Sequence, residues 1–167
     1  MSTIRVCMQQ PSLAKYRIPV MRELASRPKI SLHVCYGTAK RLKNVEPSGF
    51  SATHTSTWFF PWPLELEWHP LPWGTLSRKR CDVVILGWNT RHLSLLPYMI
   101  KARLLGIPVV IWGQGASKQE SPLKRWFRWS VSKLSSAIIV YNHSVADELV
   151  RAGHPRTRIF VAQNTID

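Results

Sequence analysis

The sequence predicts an α/β fold, a Rossmann-like three-layer αβα domain built around a mostly parallel, doubly wound sheet. Short apolar segments alternate with amphipathic segments along the chain, which is the pattern of β-α units. Several short segments, such as 83–86 and 137–140, are apolar at every position, as expected when helices cover both faces of a sheet. The 167 residues are the usual size of one domain, so we expect residues 1–167 to share one core.

The elements follow in order from the amino terminus. An apolar run at 4–9 predicts the first strand, and apolar residues then recur at helical spacing within 16–25, at Ile18, Met21, Leu24 and Ala25. Further runs rich in apolar residues predict strands at 30–36, 50–58, 82–86, 107–112, 137–141 and 158–161. The amphipathic segments between them predict helices at 92–105, 122–134 and 144–152.

Residues 58–73, WFFPWPLELEWHPLPW, interrupt this alternation. Their prolines prevent a long helix, and their tryptophans are unfavourable when fully exposed to water. The segment therefore predicts an extended insertion. Its apolar side chains have three candidate partners, which are its own domain, a second domain and lipid.

The charge of the chain predicts an anionic partner. Lys and Arg number 23 against 9 Asp and Glu, which gives a net charge of +14. A nucleic acid, an anionic membrane surface and a phosphate-bearing substrate would all suit this charge. Nucleic acid is the least favoured, because the sequence contains no RNP, KH, zinc-finger or helix-turn-helix motif.

The scarcity of acidic residues argues against glycosidase-type chemistry, which needs a pair of carboxylates. The sequence contains no HExxH motif, and no Ser-His-Asp set or paired-carboxylate pattern is visible, so it identifies no catalytic residue and no metal site. Cys7, Cys35 and Cys81 lie in or beside apolar runs without CxxC spacing, which predicts reduced core thiols. The most apolar stretch, 93–112, is broken by lysine and arginine, so we expect a cytoplasmic protein, soluble or peripheral on the inner face of the membrane.

The last thirty residues carry a family resemblance. A strand at 137–141, a helix opening at Ser144, a turn at Gly153 and the sequence RIFVAQNTID at 158–167 follow one another. They resemble the end of the N-terminal domain in the family-four retaining glycosyltransferases of the GT-B class. The family usually has proline where this chain has Gln163 and glycine where it has Thr165. Upstream, Gln114 stands where the family commonly has the histidine of a His-Gly pair, and the opening strand with Tyr16 and Arg17 is also similar.

This resemblance implies the acceptor-side half of a GT-B enzyme that moves a sugar from a nucleotide-sugar donor to a lipid-linked or glycan acceptor. The donor would bind to a C-terminal domain following Asp167, so no cofactor is expected in residues 1–167, which alone should be inactive. Asn164 and Asp167 would form the crossover between the domains. The alternative is a basic module that binds nucleic acid or membrane without catalysis.

Ligands of open parallel sheets bind where the carboxyl ends of the strands meet. The predicted acceptor-binding residues all follow such strand ends: Gln10, Tyr16, Arg17, Trp88, Asn89, Arg91, Gly113, Gln114, Gly115, Asn142 and Ser144. Each also has a structural explanation. Asn142 and Ser144 suit a helix N-cap, Gly113 and Gly115 suit a turn, and Arg17 suits a solvated helix start.

The predicted helix 122–134 is strongly amphipathic. A helical wheel places its mainly apolar side chains on one stripe, which we expect to face the core: Leu123, Trp126, Phe127, Ser130 and Leu134. The opposite stripe is basic with one tryptophan, and we predict that it contacts an anionic membrane: Lys124, Arg125, Arg128, Trp129 and Lys133.

Overall fold

The computed structural model describes residues 3–40, 42–60, 65–72, 74–115 and 122–163, with the side chains of 122–124 left out of the description. Its strands, in chain order, are β1 Ile4–Gln10, β2 Ile30–Tyr36, β3 Ser51–His54, β4 Trp58–Phe59, β5 Glu67–Trp68, β6 Val83–Gly87, β7 Val109–Gly113, β8 Ala137–Val140 and β9 Ile159–Val161. Its α-helices are α1 Ile18–Ser26, α2 Leu95–Leu104, α3 Pro122–Ser132 and α4 His143–Arg151.

A seven-stranded sheet with the order β3-β2-β1-β6-β7-β8-β9 forms the centre of the fold. Every pair of neighbouring strands in it is parallel, which confirms the predicted fold class. Alternate residues of each strand point to opposite faces, so that Val84 and Leu86 enter one apolar cluster while Ile85 enters another. The first cluster contacts α2, α3 and α4, and the second contacts α1.

The direction of winding reverses between β1 and β6. From β1 the chain builds outward through β2 to β3, and from β6 it builds in the other direction to β9. Because such crossovers are right-handed, the two directions place their helices on opposite faces of the sheet. Neighbouring loops diverge at this reversal and leave a crevice beyond the carboxyl ends of β1 and β6, which is the usual ligand site of this architecture.

The unusual tryptophan- and proline-rich segment forms a small antiparallel ladder in which Trp58 pairs with Trp68 and Phe59 pairs with Glu67. Its second strand, β5, is bound to the loop after β6. The amide of Glu67 donates to the carbonyl of Arg91 at 3.0 Å, and the amide of Leu93 donates to the carbonyl of Glu67 at 2.8 Å. Strand β5 is therefore bound to its own domain, beside the crevice, whereas Trp58, Phe59 and Phe60 of the same insertion are exposed.

Helix α3 is oriented differently from the wheel prediction. Trp126 and Phe127, expected in the core, are 65% and 43% exposed, whereas Trp129, expected to face outward, is partly buried. The side that faces the sheet carries Val131, which joins the core, and Ser132, whose hydroxyl lies 3.0 Å from Nε2 of buried His154. These contacts fix the rotation of the helix and leave the larger aromatic rings outside.

The predicted membrane stripe is consequently split. Arg125 and Lys133 are exposed, but the guanidinium of Arg128 lies 5.9 Å from the ring centroid of Trp88 and is partly buried. The side chain of Lys124 lies outside the described residues. So do Asn164 and Asp167, the predicted crossover residues.

The remaining findings concern the thiols and the helix lengths. Cys7, Cys35 and Cys81 are buried and free, as predicted. No helix within the described ranges has the length and apolar character that a membrane crossing requires.

Candidate functional site

The predicted site residues lie at or after the carboxyl ends of β1, β6, β7 and β8, which are parallel neighbours in the sheet. Their parallel pairing brings all these strand ends to one edge, as the sequence predicted. The residues differ in their exposure to solvent. Gln10 and Trp88 are buried, Tyr16, Arg17 and Asn89 are partly buried, and the side chains of Arg91, Gln114, Asn142 and Ser144 are exposed.

Arg17 is the most connected of these residues. It precedes α1, and its Nη1 donates to the side-chain carbonyl of Gln10 while its Nη2 donates to the hydroxyl of Tyr141 at 3.0 Å. The guanidinium carbon also lies 5.4 Å from the ring centroid of Trp112 and 5.5 Å from that of Tyr16. Arg17 thus spans the ends of β1, β7 and β8. Across the described part of the chain it forms no ion pair with a carboxylate.

Unsatisfied polar atoms gather at the same edge. In the described residues, the buried side-chain nitrogens without a hydrogen-bond partner belong to Gln9, Gln10, Arg17, Trp88, His92 and Trp112. All six residues lie at or just after the carboxyl ends of β1, β6 and β7. Because a buried donor without an acceptor costs about 1–3 kcal/mol, their concentration here indicates a surface arranged to bind a ligand or ordered water.

A cavity of about 260 Å³ opens at the crevice. Its wall combines basic, acidic and apolar side chains from the loops after β1, β2 and β6 and from residues 65–67 at the beginning of β5: Pro11, Ala39, Lys40, Leu42, Glu65, Glu67, Asn89, Arg91 and His92. Arg91 is held by a 3.3 Å ion pair with Glu65 and by its backbone amide, which donates to the side chain of Asn89 at 3.0 Å.

Three side chains that the sequence analysis did not select, Glu67, His69 and His92, lie against one another here, and Glu67 and His92 line the cavity. Nε2 of His69 lies 2.9 Å from Oε2 of Glu67, and Nε2 of His92 lies 3.6 Å from the same oxygen. The two imidazole rings are 4.5 Å apart and meet edge to face. Burial lowers the pKa of His92 to about 3, with His69 and Arg17 acting in the same direction, and burial also lowers the pKa of His69. Burial thus favours the neutral form of both rings.

Other predicted site residues make structural contacts. Asn142 caps α4 by accepting a hydrogen bond from the amide of Val145 at 2.9 Å. A Cβ atom at Gly113 would lie 2.6 Å from the carbonyl oxygen of Trp88, so only glycine allows these two strand ends to pack. Gly115 has a φ of +74° and would place a Cβ 2.2 Å from Val145.

Sequence reasoning missed Glu67, His69, His92, Trp112 and Tyr141. The first two stand in the tryptophan- and proline-rich segment, where only their Glu-x-His spacing in an extended chain indicates that they share a face. His92 lies in the same loop as the predicted site residues Asn89 and Arg91, so its position in the sequence could have identified it. Tyr141 and Trp112 are brought to Arg17 only by the order of the strands.

Comparisons with known proteins identify a family and a fold. The family model described as Glycosyltransferase Family 4 matches residues 20–167. No curated protein matches the chain significantly.

Solved structures of similar fold include UDP-GlcNAc 2-epimerase from Neisseria meningitidis bound to UDP-GlcNAc, at 17% identity and a TM-score of 0.61 over 96% of this chain and 47% of that chain. The same enzyme from Methanocaldococcus jannaschii matches at 16% identity and a TM-score of 0.57, over 95% of this chain and 45% of that chain. Anabaena HepE in complex with UDP and glucose matches at 12% identity and a TM-score of 0.58, over 98% of this chain and 45% of that chain. The chain thus spans about half the length of these structures, and the likeness establishes the fold alone.

Proposed function

The chain belongs to Glycosyltransferase Family 4 and has the fold of an N-terminal GT-B domain; on this premise we propose that it is the acceptor-side half of a retaining glycosyltransferase. A second, C-terminal domain would bind the nucleotide-sugar donor across the crevice. The sugar would pass to a lipid-linked or glycan acceptor with its anomeric configuration kept.

The observation that carries this proposal is the environment of Arg17. Its guanidinium is partly buried and is held by Gln10 and Tyr141, and its Nε–H has no acceptor among the residues that the structure describes. A guanidinium without a carboxylate partner is suited to bind a phosphate oxygen, because charge-assisted hydrogen bonds to oxyanions are strong and directional. In transfer from a nucleotide sugar, negative charge develops on the departing diphosphate, and a fixed cation lowers the barrier by stabilising that charge.

The acceptor is proposed to occupy the cavity beside Arg17. Lys40 and Arg91 line it together with Glu65, Glu67, Pro11 and Leu42, so it offers charged groups of both signs and apolar surface, and Arg91 is already paired with Glu65. The cation of Lys40 and the apolar side chains of Pro11 and Leu42 would suit the phosphate and first isoprene units of a lipid-linked saccharide, which we therefore favour over a neutral glycan. Gln114, exposed at the end of β7, is proposed to hydrogen-bond a sugar hydroxyl through its amide.

A protein that carries both proposed domains would be used to test this function. It would be incubated with UDP-glucose or UDP-GlcNAc, the sugar nucleotides suggested by the ligands of the similar structures, together with a polyprenyl-diphosphate-linked saccharide or a soluble oligosaccharide. We expect transfer to the lipid-linked acceptor, with NMR coupling constants showing the anomeric configuration of the donor. An inverted product would contradict the retaining mechanism, and faster transfer to the oligosaccharide would contradict the assigned acceptor.

A second observation supports attachment to an anionic membrane. Trp126 and Phe127 are exposed on α3, and Arg125 and Lys133 in the same segment are exposed as well, so the solvent-facing part of this segment carries both aromatic rings and cations. Such surfaces suit the headgroup region, where rings bury while cations meet anionic lipid. The proposed contact therefore includes Trp126 and Phe127, in place of the stripe centred on Trp129.

Vesicle sedimentation would test this attachment. We expect stronger pelleting with phosphatidylglycerol vesicles than with phosphatidylcholine vesicles, and a loss of about tenfold in partitioning for Trp126→Ser. The matched control is Trp58→Ser, since Trp58 is 60% exposed on β4 and outside the proposed surface. Equal pelleting with both lipids, or equal losses for both variants, would contradict the proposal.

A further inference from the structure

Glu67, His69 and His92 form a cluster whose positions are fixed by the backbone. The two hydrogen bonds between Glu67 and the 91–93 segment place Glu67 directly against His92. The amide of His69 donates to the hydroxyl of Ser94 at 3.2 Å, which holds the third member in place. The cluster is therefore formed in advance, without any ligand to assemble it.

The donor atoms of the cluster have the spacing of metal ligands. One atom from each residue lies within 4.8 Å of the others. Zinc bonds of about 2.0–2.1 Å in tetrahedral geometry place neighbouring ligand atoms about 3.3 Å apart. The separations of 2.9 and 3.6 Å from Oε2 of Glu67 to the two imidazole nitrogens lie on either side of this value.

The surroundings of His69 also fit those of a metal ligand. Nδ1 of His69, the nitrogen that points away from Glu67, lies 3.2 Å from the hydroxyl of Thr57, and metal-bound histidines usually orient their second nitrogen in this way. Space for this contact depends on Gly37, where a Cβ would lie 2.2 Å from the Thr57 hydroxyl and 2.8 Å from Nδ1 of His69. The histidines are almost completely buried, while Glu67 is 21% exposed.

We propose that Glu67, His69 and His92 bind a divalent transition-metal ion of the zinc class. Two imidazoles and one carboxylate favour zinc over magnesium or calcium, which prefer sets made of oxygen atoms. Glu67 and His92 line the cavity, so a fourth coordination position would face it and accept water or an oxygen of a bound substrate. The site does not depend on glycosyl transfer, and its absence would leave the proposed transferase function intact.

Zinc binding to the purified, chelator-treated protein would test the site. We expect one Zn²⁺ per chain by competition with a chromophoric chelator, and a rise of about 5–10 °C in Tm at a free Zn²⁺ concentration 100 times Kd. Co²⁺ should give the visible absorption of a four-coordinate nitrogen–oxygen site. A strong near-ultraviolet thiolate-to-cobalt band would instead assign the ion to cysteines and overturn the proposal.

Substitutions would locate the ion. Glu67→Gln and His92→Gln should each weaken Zn²⁺ binding by about 100-fold or more, since loss of a ligand exceeds the 10- to 100-fold typical of outer-shell changes. The controls are His154→Gln, a buried histidine elsewhere, and His143→Gln, an exposed one. Circular dichroism and the Tm without metal would verify folding of each variant. Unchanged binding in folded Glu67→Gln would overturn the proposal.

Discussion

Two arginines near opposite ends of β1 show how differently the two edges of the sheet are built. Arg5 lies near the beginning of the strand, and its guanidinium donates several hydrogen bonds within the protein. Its Nε and Nη2 donate to the two carboxylate oxygens of Asp82 at 2.9 and 2.6 Å, and Nη2 also donates to the carbonyl of Arg78. Among the described residues, Arg17, beyond the end of the strand, contacts only neutral partners and keeps a donor without an acceptor.

The difference between the two arginines distinguishes an ion pair that stabilises the fold from a group that is available to bind a ligand. At the amino edge, the pair of Arg5 and Asp82 joins β1 to the segment before β6, and the Arg5 guanidinium holds the pKa of Asp82 at about 2. At the carboxyl edge, the described residues leave several buried donors unpaired. A fold that can satisfy its polar groups at one edge and does not do so at the other indicates that the second edge binds a partner from outside.

The largest expected effect is on the proposed glycosyl transfer, measured with a protein that carries both proposed domains. Arg17→Gln should lower kcat/KM by about 10- to 100-fold, because it removes a charge-assisted contact worth about 1.5–3 kcal/mol. Steady-state transfer assays would measure this. Arg27→Gln is the control, since Arg27 is an exposed surface residue paired with Glu23. Equal kcat/KM for the two variants would remove the assigned role of Arg17.

Arg5→Gln should have the opposite effect, because it should lower stability and leave activity nearly unchanged. Its Tm should fall because Asp82 loses its partner, while kcat/KM per folded molecule should stay within about twofold of the parent, as expected away from the reaction centre. Thermal denaturation and transfer assays on the same samples would check both. A loss of activity in fully folded Arg5→Gln would break the contrast between the edges.

The next effect compares two glycines at neighbouring strand ends. Gly113→Ala should destabilise the fold by about 1–3 kcal/mol, because the added carbon would meet the backbone of Trp88. Gly87→Ala should change stability by less than about 0.5 kcal/mol, since its Cβ would make ordinary contacts at 3.7–3.8 Å with Pro11, Gln9 and His92. The same methyl group would narrow the crevice and lower kcat/KM severalfold. Urea denaturation would measure stability, and equal values for both variants would contradict this account.

The smallest effect concerns pH and a buried histidine outside the site. Burial lowers the pKa of His154. The unfolded chain therefore takes up a proton near pH 6.5 before the folded protein does, and stability falls as the pH drops below that value. His154→Gln should reduce the loss between pH 7.5 and 5.5, by less than about 1.4 kcal/mol per pH unit. Identical pH dependence in urea denaturation of both proteins would show that His154 does not contribute.

The sequence predicted the sheet well because most strands have a recognisable local pattern. Apolar and polar residues mostly alternate over 30–36, glycine follows at 37, and β2 occupies that range. The position of the site followed from the parallel arrangement, since strand ends such as Gln10 and Asn89 must share an edge. Helix starts were less accurate: Lys15–Arg17 is a separate 3₁₀ turn before α1, and α2 begins at Leu95.

The details of the site required tertiary contacts. A helical wheel finds the stripes of α3, but only the packing of Val131 and the contact of Ser132 with His154 decide which stripe faces inward. The cluster of Glu67 and His92 depends on β5 pairing with a loop, which no local pattern encodes. The contact between Arg17 and Tyr141 joins residues 124 positions apart.

The central claim, that the carboxyl edge binds an anionic group through Arg17, is tested most directly by NMR titration with pyrophosphate. The indole N–H groups of Trp88 and Trp112 and the Nε–H of Arg17 serve as reporters, because they have no acceptor among the described residues. The Nε–H of Arg5, already bound to Asp82, is the internal reference. We predict saturable shifts at the Arg17 reporter and at one or both indoles, none at Arg5, and their loss in Arg17→Gln. Shifts that do not saturate, or that are equal at Arg5 and Arg17, would contradict the claim.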